Sequence, residues 1–172
     1  MTAAASTAAA PTEERARAIF RRLFDERDLS DPRWYWADDV VVRFHALDTV
    51  ERGPDGMAAF FADLFAAVPD WRMEVEEVLG HEAAATIRWR GTGTHTGAPW
   101  RGIAATGRRI DLPGCDVMRF AADGRVVENV VYYDGATFAR QVGMLPKQDS
   151  AADRALLAAF NAAAWVRRRA RR

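Results

Sequence analysis

Three polar residues have types and neighbours that could support chemistry: Asp116, His95 and Asn129. Asp116 lies in IDLPGCDVMRF (110–120), where Ile110, Leu112, Met118 and Phe120 share its parity. Strand alternation therefore sets a carboxylate on an apolar face. A buried acid is costly unless something pairs with it or uses it. Desolvation there raises the carboxyl pKa towards the range useful to a general acid or base. The same position also suits an acid bonded to backbone amides or to an arginine. A register shift at Pro113-Gly114 would turn it outward. His95, in GTHTG (93–97), shares the parity of Trp89 if no bulge intervenes. It could polarise a substrate carbonyl or share a proton with Asp116; alternatively, neighbouring hydroxyls hold it. Asn129 is a further polar group on the following strand, able to position a carbonyl.

A second set of residues could bind a ligand rather than transform it. Trp36, Trp89 and Trp100 could form an aromatic wall for a flat molecule, although aromatic residues more often simply fill a core. Met118 continues the face of Asp116. Of Tyr132 and Tyr133, alternation lets only one point inward. His45 follows the first strand pattern and could serve a ligand or the structure. Asp134 precedes Gly135-Ala136-Thr137-Phe138, and capping that helix accounts for it fully. The three histidines, at 45, 81 and 95, lack ligand spacing such as HExxH, so no metal site is expected. No nucleophile elbow or Gly-rich phosphate loop occurs.

These residues need a scaffold. Helical spacing predicts a helix from Thr12 to about Arg27, with Ile19, Phe20, Leu23 and Phe24 on its apolar side. Val40, Val42 and Phe44 predict a strand over 39–45. After Gly53-Pro54-Asp55-Gly56, a helix over about 55–67 carries Met57, Phe60, Phe61, Leu64 and Phe65 towards a core. Strands are expected over 71–79 and 83–95, the second bent or bulged at Gly91 and Gly93. A loop spans 96–108. The strand 109–120 turns at Ala122-Asp123-Gly124 into a strand over 125–133. A helix over 135–142 ends at Gly143, with Pro146 beyond. Ser150 can cap a last helix that ends in an arginine cluster. Helices first and a run of antiparallel strands later predict an α+β fold with a curved sheet around the helices.

Composition narrows the possibilities further. At 172 residues the chain suits one domain, at 12–146, with an Ala-rich flexible arm at 1–11 and a helical, Arg-rich extension at 147–172. It has 24 basic and 24 acidic residues, so no net charge draws it to nucleic acid or membrane. The terminal arginines read as a solvated helix end. The single cysteine, Cys115, excludes an internal disulfide and suits a reducing cytoplasm. No apolar run reaches the ~20 residues that span a bilayer, and the N-terminus lacks the pattern of a secretory signal.

The stretches FFADLFAAVPDWRMEVEEV (60–78), RWRGTGTHTG (88–97), GIAATGRRI (102–110) and ADGRVVENVVYYDGATFARQVGMLP (122–146) resemble the SnoaL-like polyketide cyclase/ester cyclase family of the nuclear-transport-factor-two-like superfamily. The resemblance spans about residues 14–146. It implies a cone-shaped α+β barrel with a deep apolar pocket, and a homodimer packed through the sheet. It also implies ring closure by intramolecular aldol condensation, without metal or organic cofactor, on a hydrophobic polyketide-like or polycyclic carbonyl compound. The same fold hosts non-catalytic binders, hydratases, isomerases and epoxide hydrolases. Family cyclases carry an acid three residues before the Asp that opens the last helix, and a His, Arg or Trp two residues earlier. Counted back from Asp134, those positions are Val131 and Asn129. The expected assignment is therefore Asp116 as the acid–base group, with His95 and Asn129 assisting.

Overall fold

The computed structural model describes residues 12–170. The expected N-terminal arm lies outside them. Its elements are α1 (Thr12–Phe20), β1 (Trp36–Phe44), β2 (Thr49–Arg52), α2 (Gly53–Ala67), β3 (Arg72–His81), β4 (Ala84–Thr94), β5 (Arg109–Phe120), β6 (Val126–Tyr133), α3 (Gly135–Val142) and α4 (Ala151–Ala170). One mixed sheet runs in the order β2-β1-β6-β5-β4-β3. Only β1 and β6 pair in parallel. The curved, open sheet and its helices form the expected α+β architecture.

Alternation builds the core. Val40, Val42 and Phe44 of β1, Ile87 and Trp89 of β4, and Ile110, Leu112 and Met118 of β5 are buried on one face. Met57, Phe60, Phe61 and Leu64 of α2 and Ile19, Phe20, Leu23 and Phe24 near the N-terminus pack against that face. Apolar burial of this kind is the main driving force for the fold.

Three local expectations change. The first helix is α-helical only to Phe20 and continues as a π-turn over Arg21–Asp25, with the Glu26 amide bonded to the Arg21 carbonyl at 3.1 Å. The apolar spacing is nearly the same for both forms, so periodicity cannot separate them. The second is β2, a four-residue edge strand that alternation does not reveal. It is too short, and its burial alternates only between half-buried and exposed. The third concerns Gly91 and Gly93, which make no bulge. The β4–β5 register runs unbroken from Ala84↔Arg119 to Thr94↔Arg109, while the irregularity falls in β3, between Val75 and Glu77. These glycines instead make room. A Cβ on Gly91 would lie 2.4 Å from the Trp71 ring, and one on Gly93 the same distance from Val68.

At the far end, the Ser150 hydroxyl accepts from the Asp153 amide at 3.1 Å at the start of α4. Leu156, Leu157, Phe160, Trp165 and Val166 of that helix are exposed. No helix among the described residues is long and apolar enough to cross a membrane.

Candidate active site

Asp116 sits in the middle of β5, 7% exposed, and faces the core as its parity predicts. The Pro113-Gly114 step does not shift the register. Gly114 has a different use: it stands opposite Trp89 in the ladder, and a Cβ there would lie 2.2 Å from the Trp89 ring. The bare backbone lets the indole lie across β5. Trp89 Nε1 thereby donates to Asp116 Oδ1 at 2.7 Å. From β6, Asn129 Nδ2 donates to Asp116 Oδ2, also at 2.7 Å. Neither donor carries a charge. Burial pushes the Asp116 carboxyl up to about 6, while the Asn129 and Trp89 hydrogen bonds pull the other way. The carboxyl thus changes charge close to neutral pH, where a general base is most effective.

Around this acid lies a narrow cavity of about 80 Å³. Its wall includes Phe60, Leu64, Trp71, Trp100, Val131 and Phe138. His95, 2% exposed, also lines it. The His95 backbone is fixed, its N–H donating to the Arg108 carbonyl at 3.0 Å and its carbonyl accepting from the Gly107 amide at 2.8 Å. Its two ring nitrogens have no partner, and neither do Asn129 Oδ1 and Trp71 Nε1. Buried polar atoms left in this state are costly, and here several of them belong to residues lining one cavity. Tyr133 also lines the cavity, and burial pushes its phenol up to about 12, so it is a neutral donor at ordinary pH.

Of the residues singled out from the sequence, Asp116, His95, Asn129, Trp89, Trp100 and Tyr133 meet at this cavity. Five others do not. Trp36 is core: its ring stacks on Phe61 at 5.9 Å. Met118 shares the buried face of Asp116 but lies one repeat beyond the cavity, because parity fixes a face and not a height along the strand. Tyr132 points outward, 47% exposed, and stacks on exposed His45 at 4.7 Å, so alternation selects Tyr133. Asp134 is exposed and caps α3: Oδ1 accepts from the Ala136 and Thr137 amides, and Oδ2 from the Thr137 hydroxyl. These bonds hold its pKa below the usual carboxylate value.

Sequence reasoning missed Trp71 as a cavity residue: it heads the strand expected over 71–79 and shares the parity of Met73, but the strand begins only at Arg72 and no local pattern shows the cavity beside it. It also missed the relation between Asp116 and Val131, which are direct cross-strand partners. The acid therefore stands one strand away from the position where family cyclases carry theirs, facing the same cavity. No cluster of three or more His, Cys, Asp or Glu suited to a metal occurs among the described residues.

The fold is shared with solved proteins described as NTF2-like and as having a ketosteroid-isomerase-like fold. The chain belongs to the SnoaL-like polyketide cyclase family, whose model matches residues 14–142. Among solved structures, a protein from Jannaschia sp. CCS1 assigned as a SnoaL-like polyketide cyclase is 24% identical with a TM-score of 0.67, over 82% of this chain and 100% of that one. AclR from Streptomyces galilaeus, assigned as a hydroxylase, is 23% identical with a TM-score of 0.67, over 94% and 97%. IdmH from Streptomyces antibioticus, assigned as a polyketide cyclase, is 22% identical with a TM-score of 0.64, over 77% and 98%. These likenesses establish the fold. No curated protein matches the chain.

Proposed function

We propose that the protein is a cofactor-independent acid–base enzyme that acts on a hydrophobic carbonyl compound of polyketide type, closing a ring by intramolecular aldol condensation. One observation carries this reading: a single carboxylate is buried in an apolar, aromatic-walled cavity between two neutral donors, with an unpartnered histidine on the same wall. Ionised Asp116 removes a proton from the carbon next to a substrate carbonyl. His95 or Tyr133 donates to the oxygen that becomes the enolate. The enolate carbon attacks a second carbonyl of the same molecule, and the proton held by Asp116 returns to the new alkoxide. The amide of Asn129 suits both states of the acid. Its N–H₂ donates to the carboxylate, and after a flip its Oδ1 accepts from the carboxylic acid.

Replacement of Asp116 by Asn tests the assignment on a panel of aromatic poly-β-ketone substrates. The variant is expected to fold and to lose turnover; unchanged turnover refutes the role of Asp116. A non-catalytic ligand-binding role is the second reading, favoured by the apolar Val131 at the position where family cyclases carry their acid. Release of a bound ketone chemically unchanged, with no turnover across the panel, supports it.

A further inference from the structure

The Asp116 cavity is far smaller than the ~300–1,000 Å³ typical of ligand sites, so a ring compound reaches the acid only if a wall yields. One wall is thin. Phe24, Trp71 and Met73 line the cavity on one side and, on the other, an open polar groove of about 560 Å³. We infer that this groove is the mouth of the site and that Trp71, with Phe24 and Met73, is the partition a ligand must cross to reach Asp116. The inference rests on the reading of the Asp116 cavity as a ligand site.

Four features set Trp71 apart from an ordinary core tryptophan. Its indole packs directly on the bare backbone of Gly91 in β4, where a Cβ would lie 2.4 Å from the ring. The Trp71 backbone is anchored: the carbonyl accepts from Arg27 Nη2 at 2.9 Å and the amide donates to the Val68 carbonyl at 3.0 Å. Motion is thereby confined to the side chain. The buried indole N–H has no hydrogen-bond partner among the described residues. A ligand oxygen passing the partition would satisfy it. Finally, the neighbouring Phe24 stands on the π-turn, a wider and locally less regular backbone than the helix before it. Arg27, beyond that turn, holds a left-handed backbone (φ 52°), and its guanidinium lies 4.9 Å above the Phe65 ring.

Beyond the partition, the groove carries the acids Asp25, Asp70 and Glu74 and the bases Arg27, Arg72 and Arg90; of these only Arg90 is in an ion pair among the described residues, with Asp111. Three acids and three bases cancel in formal charge, so the mouth favours polar, uncharged compounds over anions or cations. This matches a ligand that carries ketone and hydroxyl oxygens on an apolar frame.

Stopped-flow binding of 2-naphthol, a flat phenol of suitable size, tests the route on the full chain. Trp71→Ala is expected to speed both association and dissociation by about tenfold or more, because the slow opening step is removed. Trp165→Ala, on the exposed side of α4, is expected to leave association unchanged, and Trp100→Ala, which enlarges the cavity from another wall, is expected to change affinity without a comparable acceleration of association. Met73→Ala, at a partly buried position, should give a smaller acceleration and keeps the test available if Trp71→Ala does not fold. Rates insensitive to Trp71 and Met73, or acceleration by Trp100→Ala instead, overturn the route while leaving the ligand cavity intact. Failure of 2-naphthol to bind both wild type and Trp71→Ala overturns the cavity reading and the route together.

Discussion

Asp116, midway along β5, and Asp134, at the junction of β6 and α3, belong to one β5–β6–α3 unit, and their surroundings make opposite use of one side chain. Asp134 meets two backbone amides and a hydroxyl in water, which favour its charged form. Asp116 meets an indole and a carboxamide in an apolar cavity, and burial outweighs both. The number of hydrogen bonds is not what separates them. Access of water is, because the cost of a buried charge exceeds what two neutral donors return. Asp134 is a structural acid, and Asp116 is poised to exchange a proton.

The contrast breaks most visibly in catalysis. Asp116→Asn should lower turnover by about 10²–10⁴-fold, the usual share of a general base, while Asp134→Asn should leave it nearly unchanged; steady-state rates on the ketone panel decide this. Next in size is a pH effect on stability. The Asp116 carboxyl goes from an ordinary 3.8 to about 6 on folding. The native state therefore holds a proton that the unfolded chain has lost between those values. Stability should fall as pH rises through that window, by up to about 3 kcal/mol, and be flat above it. Urea unfolding at stepped pH should show this slope in wild type and not in Asp116→Asn. Gly114→Ala should cost about 1–3 kcal/mol by overpacking. It should also raise the Asp116 pKa further, since the Trp89 indole is pushed off the carboxyl. The smallest effect is Asp134→Ala, a lost helix cap worth ~1 kcal/mol with no pH dependence near 6; chemical denaturation measures it.

Much of this site was legible in the sequence because alternation reports facing. Parity placed Asp116, Trp89 and His95 on one surface, and the structure keeps them there. What parity omits is position along the strand and identity across it. Met118 has the right face and the wrong height, and the Asp116↔Val131 pairing depends on a register that no local pattern encodes. Gly91, Gly93 and Gly114 looked like breaks in strands. They are clearances for Trp71, Val68 and Trp89, which only the packed structure reveals. Trp71 escaped notice for a related reason: its parity with Met73 gave it a face, but not the cavity its ring borders.

The central claim is that Asp116 exchanges a proton near neutrality inside the cavity. Carbon-13 NMR of the Asp carboxyls, with the Asp116 signal identified by its loss in Asp116→Asn, measures this directly. A titration midpoint near 6 is expected for Asp116 and one below 3.8 for Asp134. An Asp116 midpoint at or below 3.8 would contradict the claim.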